Sequence, residues 1–127
     1  MPKPSILVCD DEESVRAAIR LILERDYELV FAVDGEDALQ AFGRQPVDLV
    51  LLDLKMPKLD GLTVLTTLMT HHQPPPRVLI LTAYQSLELA QRATQGGALD
   101  YVTKPFDRVK LATAVARALQ PPEASST

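Results

Sequence analysis

Short apolar runs alternate with amphipathic stretches along the whole chain. Ile6, Leu7, Val8 and Cys9 form the first run, and Asp10 and Asp11 end it. A continuous apolar run bounded by polar residues predicts a strand buried on both faces. From 12 to 25 the apolar positions Val15, Ala18, Ile19, Ile22 and Leu23 recur on one helical face. A second run at 29–33 ends at Asp34-Gly35, where Asp34 suits a helix N-cap; Ala38, Leu39 and Phe42 then line a short helix closed by Gly43 and Pro46. Leu49, Val50, Leu51 and Leu52 make the third strand, which ends at Asp53. A helix over 62–71 carries Leu62, Leu65 and Met69 on one face, and Pro74, Pro75 and Pro76 end it. The fourth strand is 78–81, ending at Thr82; the fourth helix is 86–95, stopped by Gly96-Gly97. The fifth strand is 99–102, and the last helix, 107–119, turns Leu111, Ala112, Val115, Ala116 and Leu119 inward.

Five apolar strands alternating with five helices predict a doubly wound α/β fold, a parallel sheet covered on both faces. Ligands in such sheets sit beyond the carboxyl ends of the strands, where the strand order reverses. In the flavodoxin-like order 2-1-3-4-5, that crevice lies between the first and third strands.

The length of 127 residues predicts one domain, over 1–120, with 121–127 as a flexible tail or the start of a linker. It leaves no room for a separate cofactor module. A net charge of −4 argues against a domain that grips nucleic acid or an acidic membrane. One cysteine, Cys9, excludes an internal disulfide and fits a reducing cytoplasm; it reads as a buried core residue. No apolar run is long enough for a membrane span.

The chemistry stands at the predicted strand ends. Asp10-Asp11 closes the first strand, Asp53 the third and Thr82 the fourth, and Lys104 follows the fifth. Each has an ordinary explanation alone: acids favour a helix N-terminus, and threonine favours strands. Together, four strand ends would deliver carboxylates, a hydroxyl and an ammonium to one edge of the sheet. Carboxylates brought together repel one another and call for a cation. Oxygen ligands without His or Cys suit Mg²⁺, with Mn²⁺ as an alternative. Beside that ion, a hydroxyl and an ammonium make a pocket for a phosphoryl group, and a carboxylate can be its acceptor.

Residues 8–12, 51–61, 81–83 and 97–106 stand in the order and spacing of a known family. They include Asp10-Asp11-Glu12, Leu52-Asp53-Leu54-Lys55-Met56-Pro57, Leu81-Thr82-Ala83 and Thr103-Lys104-Pro105-Phe106. Over about 5–119 the chain resembles the receiver domains of bacterial two-component response regulators, which share the fold of the chemotaxis receivers. The resemblance implies that Asp53 accepts a phosphoryl group from a sensor histidine kinase. It implies that Asp11, Asp53 and the backbone carbonyl of Lys55 bind Mg²⁺ directly, with Asp10 acting mostly through a bound water. Thr82 and Lys104 would meet phosphoryl oxygens, and the Lys104–Pro105 peptide would be cis. Tyr101 would be the switching aromatic, turning inward as Thr82 moves. Lys55 and Tyr84 occupy positions that border the path of the attacking water and tune dephosphorylation.

A phosphoryl group adds about −1.5 to −2 charges and three acceptor oxygens. Its donors, Thr82 and Lys104, place the response on the face of the fourth helix, fifth strand and fifth helix. That face would control a C-terminal output domain, as in transcription regulators, or a homodimer. The domain itself would catalyse only its own phosphorylation and dephosphorylation. Two other functions compete: a phosphorylation-independent binding module, and a phosphatase with an aspartate nucleophile. The latter usually carries a second aspartate two residues on, where this chain has Lys55. Arg16, Arg20 and Arg25 read as a solvated helix face, and His71-His72 as cationic residues near a helix C-terminus.

Overall fold

The computed structural model describes residues 3–83 and 87–120. Five strands, β1 (Ser5–Cys9), β2 (Glu28–Ala32), β3 (Leu49–Asp53), β4 (Val78–Ala83) and β5 (Asp100–Lys104), form one parallel sheet ordered β2-β1-β3-β4-β5. Five helices separate and follow them: α1 (Glu13–Leu23), α2 (Gly35–Arg44), α3 (Gly61–His71), α4 (Leu87–Gln95) and α5 (Arg108–Ala118). This is the doubly wound α/β fold, in the strand order 2-1-3-4-5.

The alternation of side chains along a strand divides the core in two. Leu7, Cys9, Val50, Leu52, Val78 and Ile80 face one way, and meet Ala38 of α2, Val64 and Leu68 of α3, and Ala93 of α4. Ile6, Val8, Leu49, Leu51, Leu79 and Leu81 face the other, against Ile19 and Leu23 of α1 and Leu111 and Val115 of α5. The three central strands are therefore apolar at nearly every position. The edge strands β2 and β5 are covered less completely. No described helix is long and apolar enough to cross a membrane.

Aspartates start three of the helices. The side chains of Asp34, Asp60 and Asp107 accept N–H bonds from Asp37, Thr63 and Lys110 at 2.8, 2.9 and 2.7 Å. Each satisfies one of the orphan donors of a first helical turn. At the other end of α4, Gly97 takes φ +117°, and the Ala98 N–H returns to the Ala93 carbonyl. Gly96-Gly97 is the stop expected from the sequence.

Several boundaries differ from the hydrophobic pattern. Helix α1 ends at Leu23, short of Arg25, because the N–H groups of Asp26 and Tyr27 both bond the Leu23 carbonyl and turn the chain into β2. Val33 leaves β2 and is 45% exposed, since its N–H is taken by the Asp37 carboxylate at the start of α2. Gly43 lies inside α2, which runs to Arg44 before Gln45 becomes extended. Strand β4 continues to Ala83, and β5 pairs with it from Asp100 to Lys104, so Leu99 stands outside the strand and Lys104 within it. In α5 the buried positions are Leu111, Val115 and Ala118, not Ala112 and Ala116. A helix turns about 100° per residue, so Ala112 and Ala116 sit to the side of the Leu111–Val115 stripe. The start of the fourth helix at Ser86 and the segment 121–127 lie outside the described residues.

Asp107→Ala removes the cap of α5 and is expected to cost about 1 kcal/mol of stability. The check is urea unfolding, with a lower midpoint at an unchanged slope.

Candidate functional site

The sheet delivers Asp10, Asp53, Thr82 and Lys104 to its carboxyl edge. Asp10 follows the Ile6–Val8 side of β1, Asp53 the Leu49–Leu51 side of β3, and Lys104 the Val102 side of β5. Parallel register brings these ends level. The carboxylates of Asp10, Asp11 and Asp53 each offer an oxygen within 4.8 Å of the others. Asp10 is fully buried and Asp53 is 4% exposed, while Asp11 stands exposed at the rim.

Lys104 holds this acidic group together. Its Nζ lies 2.7 Å from Asp10 Oδ2, 3.3 Å from Asp53 Oδ2 and 3.5 Å from Glu12 Oε1. It donates a hydrogen bond to Asp53. Toward Asp10 it makes an ion pair, and Asp10 Oδ2 accepts no hydrogen bond among the described residues. The other oxygens are better served: Asp10 Oδ1 accepts the Glu12 N–H at 2.9 Å, and Asp53 Oδ1 accepts the Lys55 N–H at 3.1 Å. Three carboxylates with oxygens this close, opposed by a single ammonium, fit a divalent cation with hard oxygen ligands.

Burial pushes the Asp53 carboxyl up to about 6, against the Lys55 N–H and the Lys104 ammonium, while Asp10 adds to the rise. Desolvation pulls the Lys104 ammonium down, but the Asp10 contact and the Asp53 charge outweigh it and hold it above its ordinary value. Burial likewise pushes the Cys9 thiol up, as expected of a core cysteine.

The loop after β3 is folded back onto the site. Gly61 makes this possible: a Cβ there would lie 2.5 Å from the Asp53 carbonyl oxygen and from Leu54 Cα. The Gly61 N–H bonds the Leu54 carbonyl at 3.1 Å, closing the loop. Lys58, at φ 69°, takes the left-handed conformation and puts its ammonium 3.5 Å from Asp34. The loop that presents Lys55 is thereby tied to the start of α2.

Residues 6–116 match the family model of the response regulator receiver domain. The chain belongs to that family. This receiver domain is 40% identical over 116 residues to the regulatory protein AtoC of Escherichia coli K12, covering 91% of this chain and 25% of AtoC. It is 33% identical over 120 residues to sporulation initiation phosphotransferase F of Bacillus subtilis, covering 94% of this chain and 96% of that protein. The crystal structure of NtrX from Brucella abortus in complex with ADP superposes with a TM-score of 0.86 at 32% identity, covering 92% of this chain and 27% of NtrX. The receiver domain thus spans about a quarter of AtoC and NtrX, and nearly all of the phosphotransferase. Receiver domains bind Mg²⁺ at an acidic pocket, and the Asp10–Asp11–Asp53 group is an acidic cluster that could hold such an ion.

Of the residues singled out in the sequence, Asp10, Asp11, Asp53 and Lys104 come together. Thr82 is buried at the adjoining end of β4, one residue beyond Leu81, the partner of Asp53. Lys55 is exposed beside the cluster, and the Lys104–Pro105 peptide is cis. Tyr101 lies on the outer side of β5, 37% exposed, rather than turned inward. Tyr84 lies outside the described residues. Arg20 and Arg25 are exposed, as expected of a solvated helix face, while Arg16 is half-buried. Arg16 donates to the Asp10 carbonyl at 2.8 Å, and Arg20 stacks over Phe31 at 5.0 Å. Their signal is weak in sequence, because an arginine beside an apolar stripe reads as surface until the neighbouring strand is placed. Glu12 was legible as an acid at a helix start, but its pairing with Lys104 spans the fold.

A raised Asp53 value means that the metal-free native state binds more protons than the unfolded chain between about pH 4 and pH 6. The charged carboxylate therefore destabilises the fold increasingly as pH rises through that window. Asp53→Asn is expected to raise the urea midpoint of metal-free protein above about pH 6 and to leave it unchanged below about pH 4. An equal gain at both pH values would contradict this account.

Proposed function

We propose that this receiver domain is a phospho-acceptor switch, with Asp53 as the acceptor of a phosphoryl group from a sensor histidine kinase. The observation that carries the reading is the cluster of three carboxylates within 4.8 Å at the strand ends, with Lys104 Nζ 3.3 Å from Asp53. A carboxylate oxygen of Asp53 attacks phosphorus. The bond from phosphorus to the imidazole nitrogen breaks, and the electron pair leaves with the imidazole. Asp10, Asp11, Asp53 and the Lys55 carbonyl would hold Mg²⁺, or Mn²⁺, which neutralises charge on the transferring oxygens when bound. The Lys104 ammonium and the Thr82 hydroxyl receive the remaining phosphoryl oxygens.

Phosphorylation adds charge where Lys104 is the central cation. Lys104 then divides itself between Asp10 and a phosphoryl oxygen, and β5 feels the change. The response reaches Tyr101, α4 and α5, and that face controls an output domain or a homodimer. The lengths of AtoC and NtrX favour an output domain following 1–120, with 121–127 as the start of a linker. A cytoplasmic location, with no nucleic acid held by the domain itself, suits such a relay. The phosphatase alternative is disfavoured by Lys55, and the binding-only alternative by the intact acidic cluster.

Acetyl phosphate with Mg²⁺ is expected to give one phosphoryl adduct by intact mass. Asp53→Asn should give none, and chelation of the metal should suppress the adduct in the wild type. An adduct that survives Asp53→Asn defeats the assignment, and sustained hydrolysis of a foreign phosphoester would favour the phosphatase.

Lys55 and Tyr84 are proposed to obstruct the water that hydrolyses the phosphorylated state. A Lys55→Ala, Tyr84→Ala double variant should lose its phosphoryl group about tenfold faster, a barrier change of about 1.4 kcal/mol. The decay of the adduct, followed by mass, is the measurement.

A further inference from the structure

Helices α3 and α4 lie on the same face of the sheet and meet at their C-terminal ends. A Cβ at Gly97 would stand 3.0 Å from the Met69 sulfur, and one at Gly96 would stand 3.6 Å from Leu65 Cδ2. Toward their N-termini a cavity of about 650 Å³ opens between them. Its walls include Leu54, Met56, Leu62 and Leu89, with Lys55 and Arg92 beside them. On α4 the fully buried residues are Ala90 and Ala93, while Leu89 stays half-buried on the cavity wall and Arg92 is exposed beside it.

The polar groups of this cleft are unequal. Asp60 also borders it, but its carboxylate accepts the Thr63 N–H as the cap of α3. Lys55 and Arg92 are exposed, and among the described residues neither is ion-paired. An apolar floor with two uncommitted cations at its edge has the chemistry of a site for an apolar body with an anionic head. The volume falls within the range of small-molecule pockets, roughly 300–1,000 Å³.

We propose that the α3–α4 cleft binds a small organic anion. Its apolar body rests on Met56, Leu62 and Leu89, and its carboxylate, sulfonate or phosphate head lies between Lys55 and Arg92. The cleft is separate from the acidic cluster, yet it shares the loop after β3, because the Lys55 N–H is bonded to Asp53. An occupant would give the domain a chemical input beside its phosphorylation site.

The test uses metal-free, unphosphorylated protein, so it does not depend on the function proposed for Asp53. Anilinonaphthalene sulfonate is titrated by fluorescence, with amide NMR to locate it. Saturable one-to-one binding is expected, with shifts at Lys55, Met56, Leu62, Leu89 and Arg92. Arg92→Glu should weaken binding by about tenfold or more, and Arg92→Lys should largely retain it. The uncharged analogue N-phenylnaphthylamine should bind wild-type protein about tenfold more weakly, a comparison that needs no variant. Shifts centred elsewhere, unsaturable binding, wild-type affinity in Arg92→Glu, or equal affinity for the uncharged analogue would each overturn the proposal.

Discussion

One ammonium group balances the acidic end of the sheet. Lys104 lies within 3.5 Å of carboxylate oxygens on Asp10, Glu12 and Asp53, and two of those acids are buried. Removing one partner from a buried charge cluster is costly, because the remaining charges lose their compensation without regaining water. The balance is also incomplete. One cation faces several acids, and Asp10 Oδ2 accepts no hydrogen bond among the described residues. That surplus of negative charge makes the cluster receptive to a divalent ion, while burial raises the Asp53 value and the Asp10 charge adds to the rise. Stability and chemistry therefore pull in opposite directions at the same few atoms.

The fold was legible because the central strands are buried on both sides. Ile6–Cys9, Leu49–Leu52 and Val78–Leu81 are apolar without interruption, a pattern that amphipathic helices do not produce. The site was legible for a related reason. In such a strand the first polar residue marks the carboxyl edge, and Asp10, Asp53 and Thr82 are those residues. Less legible were the features decided by neighbours distant in sequence. The extent of β5 follows from its register on β4, which makes Lys104 a strand residue. The inward stripe of α5 is set by its rotation on the sheet, which the alanines at 112, 116 and 118 do not distinguish. Arg16 reads as surface because the carbonyl it reaches belongs to the preceding loop.

The two faces of the sheet divide the labour of the molecule. The face under α1 and α5 is packed with Ile19, Leu23, Leu111 and Val115, and it supports the strand ends that carry Asp10, Asp53 and Lys104. The opposite face is finished by the small side chains of α4. Close packing on both sides keeps the charged cluster in register, and the cleft opens between α3 and α4 on the second face. Gly61 joins the two, since its missing side chain lets the loop after β3 press against Asp53 and also lead into α3.

Lys104 and Asp53 are 51 residues apart in the chain, and Asp10 lies further back still. A ribosome makes the acids first and their counterion last. Until β5 has emerged and added to the edge of β4, the cluster has carboxylates without an ammonium. A nascent or truncated domain ending before Lys104 would accordingly hold Asp10 and Asp53 without their ammonium partner, however well its earlier strands had paired. The position of one lysine in the final strand thus makes the charge balance of the cluster depend on completion of the sheet.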